Sequence, residues 1–181
     1  MTRIDRLSIL WIIVLLTLAS LSSWGAGAQS KADAAPVPPL IVSARSVFVS
    51  NAGSGCNPFG RVGFSGGPNW AYNQFFAAMK GWGKYQLAAA PADADLVFEI
   101  SFTCPVAFYG TTPGDDPQLK LVILDVKTRI MLWEITEHIE GAWRKSNLDK
   151  NFDEAMRRLV GDLKELAAGV SSPPASANSK S

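Results

Sequence analysis

Histidine and cysteine are nearly missing from this 181-residue chain, which has one histidine and two cysteines. One imidazole with carboxylates, His138 with Glu134 or Glu140, is a poor zinc set, and with no Cys-x-x-Cys there is no redox-active pair to propose. Charge of one sign is missing as well: 17 basic residues face 16 acidic ones. Nucleic acid and a polybasic membrane patch are therefore set aside, because both need a clustered basic surplus. There is no Gly-Lys-Ser/Thr and no Gly-x-Gly-x-x-Gly to cradle a phosphate, and no Ser-x-x-Lys or second histidine in the folded part to support nucleophilic catalysis. The longest apolar run, Leu7 to Leu21, is shorter than the ~20 residues a helix needs to cross a bilayer.

That run does fit an export signal. Arg3 and Arg6 precede it, and Ala26-Gly27-Ala28 follows it as a small-x-small cleavage site. Residues 1–28 are read as a signal peptide and Gln29 as the first mature residue, with no membrane span left after cleavage and a periplasmic or extracellular location. Removing the signal leaves 15 basic and 15 acidic residues. Residues 29–39, rich in Ala and Pro, read as a flexible linker, and 169–181 as a disordered tail. Residues 40–168 make one domain, long enough to bury a core without a metal, and no cofactor is expected.

Periodicity supplies the elements. Arg45 to Ser50 is a strand centred on Val47, Phe48 and Val49. A loop from Asn51 to Pro68 holds six glycines. A helix starts near Asn69, with Ala71, Phe75, Ala78, Met79 and Trp82 on one face and Gly81 and Gly83 at its end. Tyr85 to Leu87 is a short edge strand. Asp95 to Cys104 alternates, with Leu96, Phe98, Ile100, Phe102 and Cys104 on one face. Leu119 to Val126 is almost wholly apolar and reads as a central strand. After a tight turn at Lys127-Thr128, Ile130 to Ile139 returns with Met131, Trp133, Ile135 and Ile139 on one face. A second helix spans Asp149 to Ala167, capped by Asn147 or Asp149, with an apolar stripe from Phe152 through Ala155, Met156, Leu159, Val160 and Leu163 to Leu166. The order β-α-(β)-β-β-β-α, with one strand half wet, predicts an α+β two-layer sandwich: a mixed or antiparallel sheet with two helices on one face.

The stretches Ser43 to Gly53, Ala71 to Phe75, Ala92 to Ile100, and Leu124 to Thr128 with Leu132-Trp133 resemble a family of exported bacterial proteins of the acidobacterial type. The resemblance spans roughly 43–167 and implies export, with no activity attached. More remotely, the Ala94-Asp95-Leu96-Val97 strand and the Asp125-x-x-Thr128 hairpin followed by Trp133 resemble the amino-terminal domain of TolB and related envelope proteins. That resemblance implies a mixed sheet with two helices and work as an interaction module.

Candidate sites are few. Cys56 and Cys104 form a disulfide candidate, since an exported pair meets an oxidising compartment. If the strand from Arg45 runs parallel to the one from Asp95, both cysteines fall near one edge of the sheet. The alternative is that Cys104 is a buried thiol in phase with Phe102. The glycine-rich loop precedes a helix, a place suited to anions, yet it reads mainly as a long surface loop. The candidate interaction surface comprises Asn51, Asn57, Phe59 and Phe64 on that loop with Trp70, Tyr72 and Phe76 beside the main helix face. Packing of those aromatics against the loop is the competing reading. The other aromatics, Trp133 and Trp143 included, belong mostly to core faces. His138 shares a solvated face with Glu134, Thr136 and Glu140, and Asp115-Asp116 forms a turn. The expected function is a non-enzymatic envelope module that binds another envelope protein or a surface polymer, with oligomeric state open. The alternative is a small extracytoplasmic hydrolase.

Overall fold

Residues 35–55 and 66–170 are described by the computed structural model. The elements are α1 (Pro39–Ser43), β1 (Ser46–Ser54), α2 (Trp70–Trp82), β2 (Gln86–Leu87), a single 3₁₀ turn (Pro91–Asp93), β3 (Leu96–Thr103), β4 (Val106–Tyr109), β5 (Thr112–Asp115), β6 (Gln118–Asp125), β7 (Met131–His138) and α3 (Lys145–Ala167). Five strands form one sheet in the order β2-β1-β3-β6-β7, and β4 and β5 form a separate hairpin. β1 runs parallel to β2 and β3, and the remaining pairs are antiparallel.

The α+β sandwich follows from alternation. Val47 and Val49 of β1, four residues of β3 from Leu96 to Phe102, and Leu119, Leu121 and Ile123 of β6 are all buried. Both helices cover that one face. Phe98 meets Phe75 of α2, with ring centroids 6.3 Å apart, and Phe102 meets Phe152 of α3 edge-on at 5.7 Å. In α2 the expected face is buried at Ala71, Phe75 and Met79, and half-buried at Ala78 and Trp82. Gly83 closes the helix in the left-handed conformation (φ +69°), where glycine carries no Cβ penalty. The stripe from Phe152 to Leu166 is buried throughout.

Several details depart from the sequence reading. α1 adds an element ahead of the first strand: Ile41 is fully buried, and its carbonyl accepts from the Tyr85 hydroxyl at 3.1 Å, while burial pushes the Tyr85 pKa up to about 12. α3 starts a turn earlier than Asp149. Leu148 is buried and extends the stripe by one step of four, so Arg144 holds the cap position, with no side-chain bond, and Asn147 and Asp149 lie inside the helix. β6 is second from the edge rather than central; β3 takes the middle. The apolar run of β6 is covered on one side only, leaving Val122 and Leu124 half-buried on the other.

A bulge changes the face of Met131. Ile123 pairs with Trp133 but Leu124 pairs with Met131, so one extra residue enters β7. Met131 therefore stands with Leu124 on the outer face, away from Trp133 and Ile135. Lastly, the segment leading to Asp115-Asp116, expected to be a turn, contains β5, paired with β4 through Phe108↔Pro113 and Val106↔Asp115. Proline is tolerated there because both strands of a two-stranded ribbon are edges.

The turn at Lys127-Thr128 is as expected. The Asp125 carboxylate accepts from the Lys127 amide (3.0 Å) and the Thr128 hydroxyl (2.7 Å), bonds that hold its pKa below the usual range.

Candidate interaction surface at one end of the sheet

Because β1 and β3 run parallel and β6 and β7 run against and with them in turn, one end of the sheet collects the ends of β1, β3 and β7 and the start of β6. The β4–β5 hairpin leaves from this end, between β3 and β6. The segment from Ile139 to Arg144 leaves from it as well.

The sequence-derived candidates sit here unevenly. Asn51 is exposed but engaged: its amide nitrogen donates to Asn69 Oδ1 at 2.8 Å, and its own Oδ1 accepts from the Gly53 amide at 2.9 Å, tying β1 to the start of α2. Trp70 is half-buried and stacks on Phe152, centroids 3.9 Å apart and planes 9° from parallel. It also lies over Gly66, where an added Cβ would collide with the indole. Gln74 donates to Asp153 of α3 at 2.9 Å, so that flank of α2 faces α3. By helical spacing, Tyr72 and Phe76 line the opposite flank, half-buried and 5.9 Å apart. Asn57, Phe59, Phe64 and Cys56 lie outside the described residues. Cys104 is half-buried against the core, and no free cysteine occurs among the described residues. The Gly55 amide donates to the Phe102 carbonyl at 2.8 Å, which holds Gly55 alongside the end of β3.

Three large apolar side chains outside this candidate set stand exposed at the same end. Trp143 is 98 % exposed, Phe108 72 % and Val106 65 %. This corrects the expectation that Trp143 belongs to a core face; Gly141 and Arg144 isolate it from any apolar periodicity. The alternation of Val106 and Phe108 with Ala107 before Gly110 was a usable strand signal, masked by Pro113 and Gly114 a few residues on.

His138 projects from the outer face with Thr136 and Glu134, as expected. Its Nδ1 lies 3.1 Å from Asp116 Oδ1, and Gln118 donates to the other Asp116 oxygen at 2.5 Å. Asp115 ends β5, and the Asp116 amide donates to Pro105 at 2.9 Å, so these carboxylates close the base of the hairpin. The loop also spells Gly63-Phe64-Ser65-Gly66-Gly67, the Gly-x-Ser-x-Gly pattern of a nucleophile elbow. An elbow needs its serine directly between strand and helix; β1 ends at Ser54, well before Ser65, which lies outside the described residues. Among the described residues no group of three or more His, Cys, Asp or Glu side chains could hold a metal ion.

One ionisable side chain among the described residues is buried and joins a cluster at the rim of the core. Glu137, on the core face of β7 between Ile135 and Ile139, is 5 % exposed. Arg158 of α3 donates from Nε to Glu137 Oε2 at 2.7 Å and from Nη2 to the His138 carbonyl at 2.8 Å. Asp162, one turn further along α3, has its pKa raised to about 6. Desolvation is the main cause, followed by its hydrogen bond to Glu137 and repulsion from Glu137 and Glu165, with Arg158 opposing. The pattern of Ile135, Glu137 and Ile139 is legible at period two, but the partner 21 residues away is not.

No family model matches the chain, and no curated protein matches it. Solved structures do. A point variant of the PelC dodecamer from Paraburkholderia phytofirmans is 16% identical over 66% of this chain and 86% of that one, with a TM-score of 0.44. A Xanthomonas campestris protein of the family described as DUF330 is 15% identical over 74% and 91%, with a TM-score of 0.44. A lipoprotein from Neisseria meningitidis is 15% identical over 65% and 99%, with a TM-score of 0.31. At such identities and scores the likenesses carry no argument about activity, ligand or assembly.

Proposed function

We propose that this chain is exported and works in the periplasm or outside the cell as a non-enzymatic module that binds another envelope protein or a surface polymer. Residues 1–28 as signal peptide, 29–39 as linker, 169–181 as tail, and the envelope role suggested by the TolB-like stretches belong to this proposal. Its carrying observation is the solvent exposure of Val106, Phe108 and Trp143 on two segments that leave the same end of the sheet. Large apolar groups held in water at one place mark contact surfaces, and tryptophan is among the residues that dominate binding energy.

The binding surface is tested with an affinity tag on the 171–181 tail, in-cell crosslinking and mass spectrometry of the envelope fraction. The wild type is expected to recover a partner that the Phe108→Ser/Trp143→Ala chain loses. Equal recovery by both chains, or no partner with either, overturns the reading. A second reading, hydrolysis, draws on the His138–Asp116 pair. Covalent labelling of the chain by a fluorophosphonate probe, abolished by His138→Ala, would establish it and displace the binding-module reading.

A further inference from the structure

β7 ends the five-stranded sheet, and among the described residues it pairs with β6 alone. The ladder fixes which of its backbone groups are used. The Ile139 amide donates to the Pro117 carbonyl at 2.8 Å, so Glu137, Ile135 and Trp133, at steps of two, also turn their N–H and C=O toward β6. His138, Thr136 and Glu134 turn theirs the other way. Arg158 of α3 takes the His138 carbonyl, and at the far end the bulge at Met131 breaks the ladder. The open edge between them offers the N–H and C=O of Glu134 and Thr136 and the N–H of His138. Glu134 and His138 are exposed and Thr136 half-buried. Donors and acceptors that repeat every second residue, roughly 6.7 Å, are matched by another extended backbone, and by neither a lipid surface nor a glycan.

The flank of α3 above this edge sets the side chains that fit. By helical spacing Glu154, Arg158, Asp162 and Glu165 form one stripe, and Arg158 and Asp162 both reach Glu137 from it. Glu137, Glu154 and Asp162 outnumber the cations within reach, Arg158 and Arg157, the latter 3.9 Å from Glu154. Lys164 turns to Trp82 on the other flank. Lys120 lies on the outer face, bound to Glu134 at 2.8 Å. Arg144 and Lys145 stand at the start of the helix, roughly 20 Å from Arg158. The β6–β7 turn is balanced, with Lys127 and Arg129 against Asp95 and Asp125. The rim of the edge is therefore acidic. An inward-facing charge on an edge strand discourages indiscriminate pairing. Glu137 is such a charge, and it favours a strand that brings a cation. A second copy would bring the same acidic rim against this one.

We infer that β7 accepts an extended segment of a partner protein as an added strand, with basic side chains beside Glu137 and Asp162 and an apolar one beside the half-buried Trp133. Backbone pairing with Glu134 and Thr136 supplies the affinity, and the α3 flank supplies the selection. The edge does not involve Val106, Phe108 or Trp143.

The probe is a fluorescent peptide in which threonine alternates with valine and lysine, so that valine and lysine share one face. It is titrated into the full chain by anisotropy, and amide hydrogen exchange is read by NMR. The peptide is expected to bind and to protect the Glu134, Thr136 and His138 amides. Replacing its lysines by glutamates should weaken binding about tenfold. Thr136→Pro deletes an outward N–H, which an edge strand tolerates, and should abolish binding. Should that variant not fold, the peptide N-methylated throughout has no backbone donor and should equally fail to bind. No binding by the lysine peptide overturns the inference. So does binding that leaves those amides unprotected, binding unchanged by Thr136→Pro or by N-methylation, or equal binding of the lysine and glutamate peptides. Slow exchange of the same amides in the free chain also overturns it, because the edge is then already covered by the chain itself or by a second copy. Phe108→Ser/Trp143→Ala should bind the peptide as wild type does, and loss there would move the peptide to the hairpin end and overturn the inference. If the peptide fails while that variant still loses its crosslinked envelope partner, this inference falls and the proposed function stands.

Discussion

Replacing Asp162 with asparagine should change how stability depends on pH while leaving the fold intact. Asp162 ionises near 6 in the folded chain and at the ordinary value of 3.8 when unfolded. A carboxyl whose pKa is raised by folding stabilises fully below the unfolded value, and that stabilisation is lost as pH climbs through the folded value. The window is therefore about pH 4 to 6.5. Two pKa units would correspond to about 3 kcal/mol in a buried site. Asp162 is only partly buried, and discounting for solvent screening leaves about 1 kcal/mol. At low pH the Asp162 hydroxyl donates toward Glu137, whose other demand is met by Arg158. Above pH 6.5 Asp162, Glu137 and Glu165 face each other with Arg158 as the balancing cation. An asparagine amide can donate to Glu137 at every pH. Urea unfolding followed by tryptophan fluorescence should show wild type and Asp162→Asn nearly equal at pH 4, with the variant more stable by about 1 kcal/mol at pH 7. Taking the difference between the two chains cancels the titration of every group that does not interact with Asp162. Parallel pH profiles would refute the reasoning.

Two further outcomes are expected. Phe152→Ala removes a fully buried ring that stacks on Trp70 and meets Phe102 edge-on, and should cost about 3–5 kcal/mol in chemical denaturation; a loss below about 1 kcal/mol would show that the two helices are not held at this ring. Under the proposed export, Cys56 and Cys104 are expected to be bonded, closing about 48 residues and contributing about 4 kcal/mol on the chain-entropy account. Intact mass and thiol labelling before and after reduction check this, and labelling of both cysteines without reductant would exclude the bond.

What could be read from residues alone was whatever repeats locally. The alternation from Leu96 to Phe102 and the stripe from Phe152 to Leu166 each follow from one element burying one face, so they announced β3 and α3 before any partner was known. The same logic placed α2, the Asp125–Thr128 turn and a one-sided sheet, hence the α+β sandwich. It could not see the bulge that turns Met131 outward, because one inserted residue reverses a period-two pattern only in relation to the strand beside it. Nor could it tell that β6 is covered on a single face, since an apolar run looks alike whether or not a second layer exists. Glu137 interrupts an apolar face and is explained only by Arg158 and Asp162 arriving from α3. Trp143 resembled a core aromatic until the topology carried it, with Phe108, past the end of the sheet, where both stay exposed to water. Local period is a property of the chain; the choice of which apolar surface stays wet is made by neighbours distant in sequence, and that choice defines the candidate site.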